Sequence, residues 1–223
     1  QKYVKDFVIE DGVTAIGERC FKNLDTMISI KIPNSVTWIG DHAFFGCSSL
    51  KSINFHENIT YFGVNSFFSC SSIESPLFLN PSIFSANNDF FGNGCIKSLV
   101  MYTNLKHFTI QPFTFQTIRE TVTSIEIKEG VTSISDYTFR YFIRIESITL
   151  PESITYIGAS SFSFCSSLKS INIPNAVTKI GSYAFYSCGN LESPINIPIG
   201  VTMINEKTFS YCKHIPSLRI HIG

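Results

Sequence analysis

Seven cysteines and five histidines are the residues of this chain whose chemistry could go beyond packing, and their spacing decides what they can do. Six of the cysteines, Cys47, Cys70, Cys95, Cys165, Cys188 and Cys212, fall at or near one position of a recurring unit, whereas Cys20 stands apart. A zinc site needs ligands around a point and is usually announced by a C-x-x-C pair; none occurs, and a straight column of thiols cannot surround an ion. Strands stacked about 4.8 Å apart with parallel Cβ vectors also hold neighbouring cysteines beyond the ~3.8 Å that a disulfide prefers. Buried free thiols are expected instead. The histidines, His42, His56, His107, His214 and His221, lie in different registers except for the distant pair His56 and His221, so no nucleophile, histidine and carboxylate can be assembled. Gly92-Asn93-Gly94 lacks the strand and helix context of a phosphate loop. No catalytic, cofactor-binding or metal-ligating residue is assigned, and no enzymatic activity is expected. Asn58-Ile59-Thr60 is an N-glycosylation sequon, but Thr60 also belongs to a repeated Val-Thr element.

The elements that position these residues follow from a period. Phe21, Phe44, Phe67, Phe90, Phe113, Phe139, Phe162, Phe185 and Phe209 are separated by 23, 23, 23, 23, 26, 23, 23 and 24 residues. An aliphatic residue stands eight positions before most of them, as at Val13, Val36, Ile59, Leu105, Val131, Ile154, Val177 and Val201. A second apolar residue follows three positions later, at Ile16, Ile39, Phe62, Phe108, Ile134, Ile157, Ile180 and Ile204. Next come Gly17, Gly40, Gly63, Gly158 and Gly181, which suit a turn through positive φ. Small residues precede the Phe (Cys20, Ala43, Ser66, Ser161, Ala184), as expected of a short helical turn packed close to its neighbours. The alternation after Leu50, at Ile53 and Phe55, is that of a strand.

A unit of this size cannot bury its apolar face alone, so identical neighbours must stack into a solenoid with a parallel sheet along one side. The expected fold is an α/β solenoid with that sheet on the concave face and short helical turns or short strands on the convex face. Residues 1–223 read as a single domain of about nine coils, and the ends, lacking polar caps, read as those of a fragment. Lys and Arg total 17, as do Asp and Glu, so no basic surface exists to neutralise nucleic acid. No run reaches the roughly 18 to 20 apolar residues of a membrane span, so membrane insertion of this segment is not expected.

The segments Ile32 to Leu50 and Ile173 to Cys188 follow the pattern I-P-x-x-V-T-x-I-G-x-x-A-F-x-x-C. In this they resemble the BspA-like leucine-rich repeats, with departures between about residues 80 and 128, where Asn87 replaces the Gly and Pro112 precedes the Phe. The resemblance implies a cell-surface or secreted protein that attaches to host cells, matrix proteins or other microbes, and it brings no catalytic residues.

Binding residues must therefore be sought on outward columns. Ser29, Ser52, Ser98, Ser124, Ser147, Ser170 and Ser217 form a hydroxyl column, read as relief of crowding with hydrogen bonds along the stack. Beside it, Lys51, Glu74 and Lys97, then Glu146, Lys169 and Glu192, alternate in sign. On the strand face, Phe78 and Val100, with His56, Asn80, Tyr102, Glu126 and Lys128 around them, form a candidate partner-binding patch in the irregular coils; drift from the repeat would produce the same residues without a role. Phe45, Phe68 and Phe91 form an alternative convex patch, or else a satellite core.

The reading is a binding module, a surface adhesin or recognition protein contacting a protein or glycan, without cofactor. Two alternatives stand beside it. A cytoplasmic scaffold would suit seven unpaired thiols, and a segment of a longer repeat fibre would self-associate through its uncapped ends.

Overall fold

The computed structural model describes residues 4–79, 91, 96–101, 108–110 and 119–220. The chain divides into two compact units, residues 1–99 and 100–223. In the first, strands Asp6–Val8 (β1), Ser29–Lys31 (β3) and Ser52–Ile53 (β5) form one parallel sheet, and Ala15–Ile16 (β2), Trp38–Ile39 (β4) and Tyr61–Phe62 (β6) form another. Leu77–Leu79 (β7) follows, and Ser98–Met101 (β8) lies at the division. The second unit contains Phe108–Ile110 (β9), Ser124–Ile127 (β10), Val131–Ile134 (β11), Ser147–Thr149 (β12), Tyr156–Ile157 (β13), Ser170–Ile171 (β14) and Lys179–Ile180 (β15). Ile195–Ile197 (β16) and Leu218–Ile220 (β17) complete it. Here β10, β12 and β14 pair in one parallel row and β9, β11, β13 and β15 in a second. Registers step by one repeat: Phe7 opposes Ile30 and Ile30 opposes Ile53, while Ile134 opposes Ile157 and Ile157 opposes Ile180. Each unit is a parallel-strand solenoid of stacked coils.

Threonine explains the second row. Thr60 donates its backbone amide (2.8 Å) and its hydroxyl (3.1 Å) to the Thr37 carbonyl, and Thr155 does the same to Thr132 (2.8 and 3.1 Å). A two-residue strand has few ladder bonds of its own, so the hydroxyl adds a second donor at each coil.

The third side of the coil corrects the expected helical turns: the described residues contain no helix. Instead each described turn segment carries two left-handed residues four positions apart. The pairs are Arg19 and Asn23, His42 and Gly46, Asn65 and Ser69, Tyr137 and Tyr141, Ser160 and Phe164, Tyr183 and Ser187, and Lys207 and Tyr211, with φ between 49° and 74°. Such residues interrupt α-helix and turn alternate amides outward. Tyr137, Phe139 and Tyr141 donate to Ala159, Ser161 and Ser163 of the next coil at 2.8 to 2.9 Å, while Arg140 and Phe142 close local turns onto Tyr137 and Phe139. Side chains with a Cβ are strained at positive φ, roughly 1 kcal/mol or more each. The inter-coil bonds are what hold them there.

The recurring frame glycines have a different role from the expected one, for positive φ occurs at Gly12, Gly46 and Gly130 and not at Gly40, Gly63, Gly158 or Gly181. A Cβ on Gly158 would collide with the backbone of Ser135 and Asp136, and one on Gly181 with that of Ala159. These glycines let one coil's backbone settle on the next.

Inside, Val36, Ile39, Phe44, Cys47 and Leu50 are fully buried, as are Val177, Ile180, Phe185, Cys188 and Leu191. The Phe column stacks ring on ring. Centroids lie 5.2 Å apart for Phe21 and Phe44, 5.0 Å for Phe44 and Phe67, 5.5 Å for Phe139 and Phe162, and 5.3 Å for Phe162 and Phe185. Phe91 stacks on Phe67 at 5.4 Å and so continues the column; Phe90 lies outside the described residues.

Gly158→Ala should destabilise the chain by about 3 kcal/mol, because the added methyl forces two coils apart. Gly17→Ala, with nothing within 4 Å of its Cβ, should change stability by less than about 0.5 kcal/mol. Urea denaturation midpoints of the two variants check the contrast.

Candidate functional site

The residues with chemical potential are taken up by the stack. Cys47, Cys70, Cys165, Cys188 and Cys212 each point a thiol at the carbonyl of the core Phe one coil earlier: Phe21, Phe44, Phe139, Phe162 and Phe185, at 3.0 to 3.2 Å. Each of those carbonyls has already accepted an amide in its own turn, so the thiol satisfies the second lone pair, a role the spacing alone did not reveal. Cys47, Cys70, Cys165 and Cys188 are buried, Cys212 is half-buried and Cys20 is exposed; all six are unbridged. Burial pushes the Cys165 thiol well above the ordinary range, and contact with a neighbouring thiol, together with burial, does so for Cys70 and Cys188. Thiolate formation is suppressed at Cys70, Cys165 and Cys188, whereas the partner thiol of each close pair, Cys47 or Cys212, is lowered by the same contact. Among the described residues no group of three His, Cys, Asp or Glu could hold a metal ion.

His56 occupies the place that Pro33, Pro151, Pro174 and Pro198 take in other coils, where all four prolines are buried. Both its ring nitrogens are shut off from solvent without a well-formed hydrogen bond. Burial lowers its pKa below the ordinary histidine value, against smaller opposing pulls from the Pro33 carbonyl and the Glu57 carboxylate. Its imidazole is a packing group, not a free contact.

The strand-face candidates fall only partly within the described residues. Val100 is buried at 6% exposure although it alternates along β8 with the fully buried Leu99 and Met101, so it offers no exposed apolar surface. Phe78 is half-buried, and Glu126 and Lys128 form an ion pair with each other. Asn80 and Tyr102 lie outside the described residues. Of the other candidates, Phe45 and Phe68 are half-buried and stack at 5.1 Å, with the Lys22 ammonium 5.1 Å from the Phe45 ring. Phe91, 2% exposed, has left that patch for the core. In the charged column Lys169 meets Glu146 at 2.7 Å, and Ser29 donates to Asp6, which opposes it in register, at 2.5 Å. The sequon is bound into the stack, Asn58 donating to the Asn34 carbonyl at 3.0 Å.

A surface that the sequence reading missed lies on the turn side of the second unit. Tyr141 stacks on Phe164 at 4.8 Å, Phe164 meets Tyr186 edge-on at 5.4 Å, and Tyr186 meets Tyr211 at 5.3 Å. Tyr137, Tyr141, Ile143 and Tyr211 are 43%, 39%, 42% and 61% exposed. The left-handed conformation of Tyr137, Tyr141, Phe164 and Tyr211 turns these rings away from the core Phe two positions off. The signal was present in the Tyr content of coils from Tyr137 onward, but not in any single motif. A shallow cleft lined by Arg119, Glu120, Tyr141 and Ile143 adjoins the row.

Short parallel strands in register, with buried Phe, Leu and Ile columns, are those of a leucine-rich-repeat solenoid. Residues 1–118 and 85–216 match the BspA type leucine rich repeat region in six copies, and the chain belongs to that family. A leucine rich cell surface protein from Faecalibacterium prausnitzii is 28% identical, with a TM-score of 0.51, over 97% of this chain and 59% of its own. This chain thus spans less than two thirds of that protein. Leucine-rich repeat proteins from Bacteroides ovatus (19% identity, TM-score 0.45, 96% of this chain and 78% of that one) and T. pallidum (21%, 0.39, 96% and 68%) are also similar. No curated protein matches the chain.

Treatment of the folded protein with iodoacetamide should alkylate Cys20 first and leave Cys47, Cys70, Cys165 and Cys188 unmodified until denaturant is added; peptide mass mapping reads the pattern. For His56, a folded pKa below the unfolded one means that the unfolded chain binds more protons between the two values. Stability is then full above the unfolded pKa of about 6.5 and falls as pH drops below it. His56→Pro should remove that contribution and, at neutral pH, hold or raise stability by up to about 1 kcal/mol; thermal melts at pH 7 and pH 5 compare the two chains.

Proposed function

We propose that this chain is a non-catalytic recognition module of a cell-surface or secreted protein, adhering to a protein or glycan on another surface. The observation that carries the reading is the exposed aromatic row of the second unit. Rings packed edge to face and half open to solvent offer large contact area at little conformational cost, the property of residues that dominate binding interfaces. Family membership and the surface protein of Faecalibacterium prausnitzii support the location. Among the described residues no helix is long and apolar enough to cross a membrane. Burial of Cys47, Cys70, Cys165 and Cys188 weakens the case for a cytoplasmic scaffold, because a thiol without solvent access does not require a reducing compartment. The ion-paired Glu126 and Lys128 of the strand face, with half-buried Phe78, are a secondary contact group in this proposal.

The purified chain should bind at least one member of a panel of immobilised extracellular matrix proteins and glycans, and Tyr141→Ser/Tyr211→Ser, folded as judged by an unchanged melt, should lose that binding. Equal binding by the variant would remove the aromatic row from the reading. No binding by the wild type, combined with concentration-dependent association in sedimentation, would favour a repeat fibre.

A further inference from the structure

One end of the row carries a cation, Arg140, that forms no ion pair among the described residues. The Arg140 guanidinium lies over three rings, 5.6, 4.7 and 5.9 Å from the centroids of Tyr137, Tyr141 and Phe164. One of its terminal nitrogens donates to the Tyr141 hydroxyl at 3.1 Å, while its Nε is buried without a partner among the described residues. None of the ion pairs formed by the described residues includes it. Of the acids near this end, Asp136 is taken by the Ala159 amide (2.7 Å) and the Tyr156 hydroxyl (3.0 Å), and Glu120 lines the adjoining cleft beside the cationic Arg119. At the other end of the row Glu206 accepts from the Tyr183 hydroxyl at 2.8 Å and pairs with Lys207 at 3.6 Å. Between these ends, the turn segments 158–168 and 181–191 contain no charged residue. Exposed Arg144 and Lys213 add positive charge at either end.

Resting on the recognition reading above, we infer that this face receives an acidic segment of a partner protein, with a carboxylate seated on Arg140 and apolar groups laid along the Tyr141, Phe164 and Tyr186 rings. The rings fix the guanidinium plane in advance, so its remaining donors present a preformed fork to a carboxylate, with little entropy left to lose. Stacking on aromatic faces also strips water from the cation, which strengthens its attraction to an anion. A basic or neutral segment would leave that guanidinium covered and unpaired, which is costly at an interface. Charge complementarity thus selects the partner, and the uncharged aromatic middle supplies the contact area.

Fluorescence anisotropy with a labelled peptide of alternating Glu and Leu, beside the same peptide carrying Gln for Glu, tests the inference on the whole chain. The wild type should bind the Glu peptide at least about ten-fold more tightly than the Gln peptide, with affinity falling as salt is raised. Arg140→Gln should weaken the Glu peptide about ten-fold and leave the Gln peptide unchanged, and Arg140→Lys should fall between, keeping charge but losing the fork. Equal affinity of the two peptides for the wild type overturns the acidic assignment without reference to any variant, as does full retention by a folded Arg140→Gln. If that occurs while the matrix panel still depends on Tyr141 and Tyr211, recognition stands and its acidic specificity fails. Panel binding that ignores the tyrosines overturns both.

Discussion

Everything in each unit depends on one constraint: a coil must hydrogen-bond to its neighbour on three sides at the spacing of a parallel sheet. The strand rows meet it in the ordinary way, but the turn side meets it only because pairs of residues such as Tyr137 and Tyr141 accept left-handed backbone. Once the backbone steps by a fixed distance, side chains have no choice but to stack like on like. Phe lies on Phe, Thr bonds to the Thr carbonyl below it, and each Cys thiol reaches the Phe carbonyl of the coil before. The frame glycines are part of the same constraint, since a methyl at Gly158 or Gly181 would occupy the space of the preceding backbone.

How much of this was legible in the sequence follows from what is local. The period and the buried columns are periodic in one dimension, and Val36, Ile39, Phe44, Cys47 and Leu50 were identifiable from spacing alone. The turn side was not, because Phe44 and Cys47 stand three apart like residues of a helix, and no Gly or Asn marks Tyr137 or Tyr183 as left-handed. What holds those residues is a bond to a coil more than twenty positions away, which no local window contains. The glycines misled for a related reason: the same residue type serves positive φ and close approach, and only the neighbouring coil distinguishes them. Phe91, read from its spacing as part of an outer patch, stacks on the core ring of Phe67 instead, because the irregular coil around it breaks the count on which that reading rested.

The same logic separates structure from recognition. Cys, Thr and the core Phe are committed inward, so any partner must be met by positions that the ladder does not use. Val100 is covered and offers a partner little surface, whereas Tyr141, Tyr186 and Tyr211 sit on turns that the ladder fixes in the backbone but leaves open in the side chain. A rigid backbone with free outward positions suits interfaces, because rings arrive already placed and little order is lost on contact.

The alignment of the inter-coil bonds has a mechanical consequence. Amide, hydroxyl and thiol donors all bridge one coil to the next, so tension applied along a stack loads them directly, one interface after another, and not in shear across many bonds at once. A stack under load therefore opens at its weakest interface and pays out one 23-residue coil, roughly 80 Å of extended chain, before the next is challenged. A stack built this way lengthens in steps under load and can re-form when the load is released.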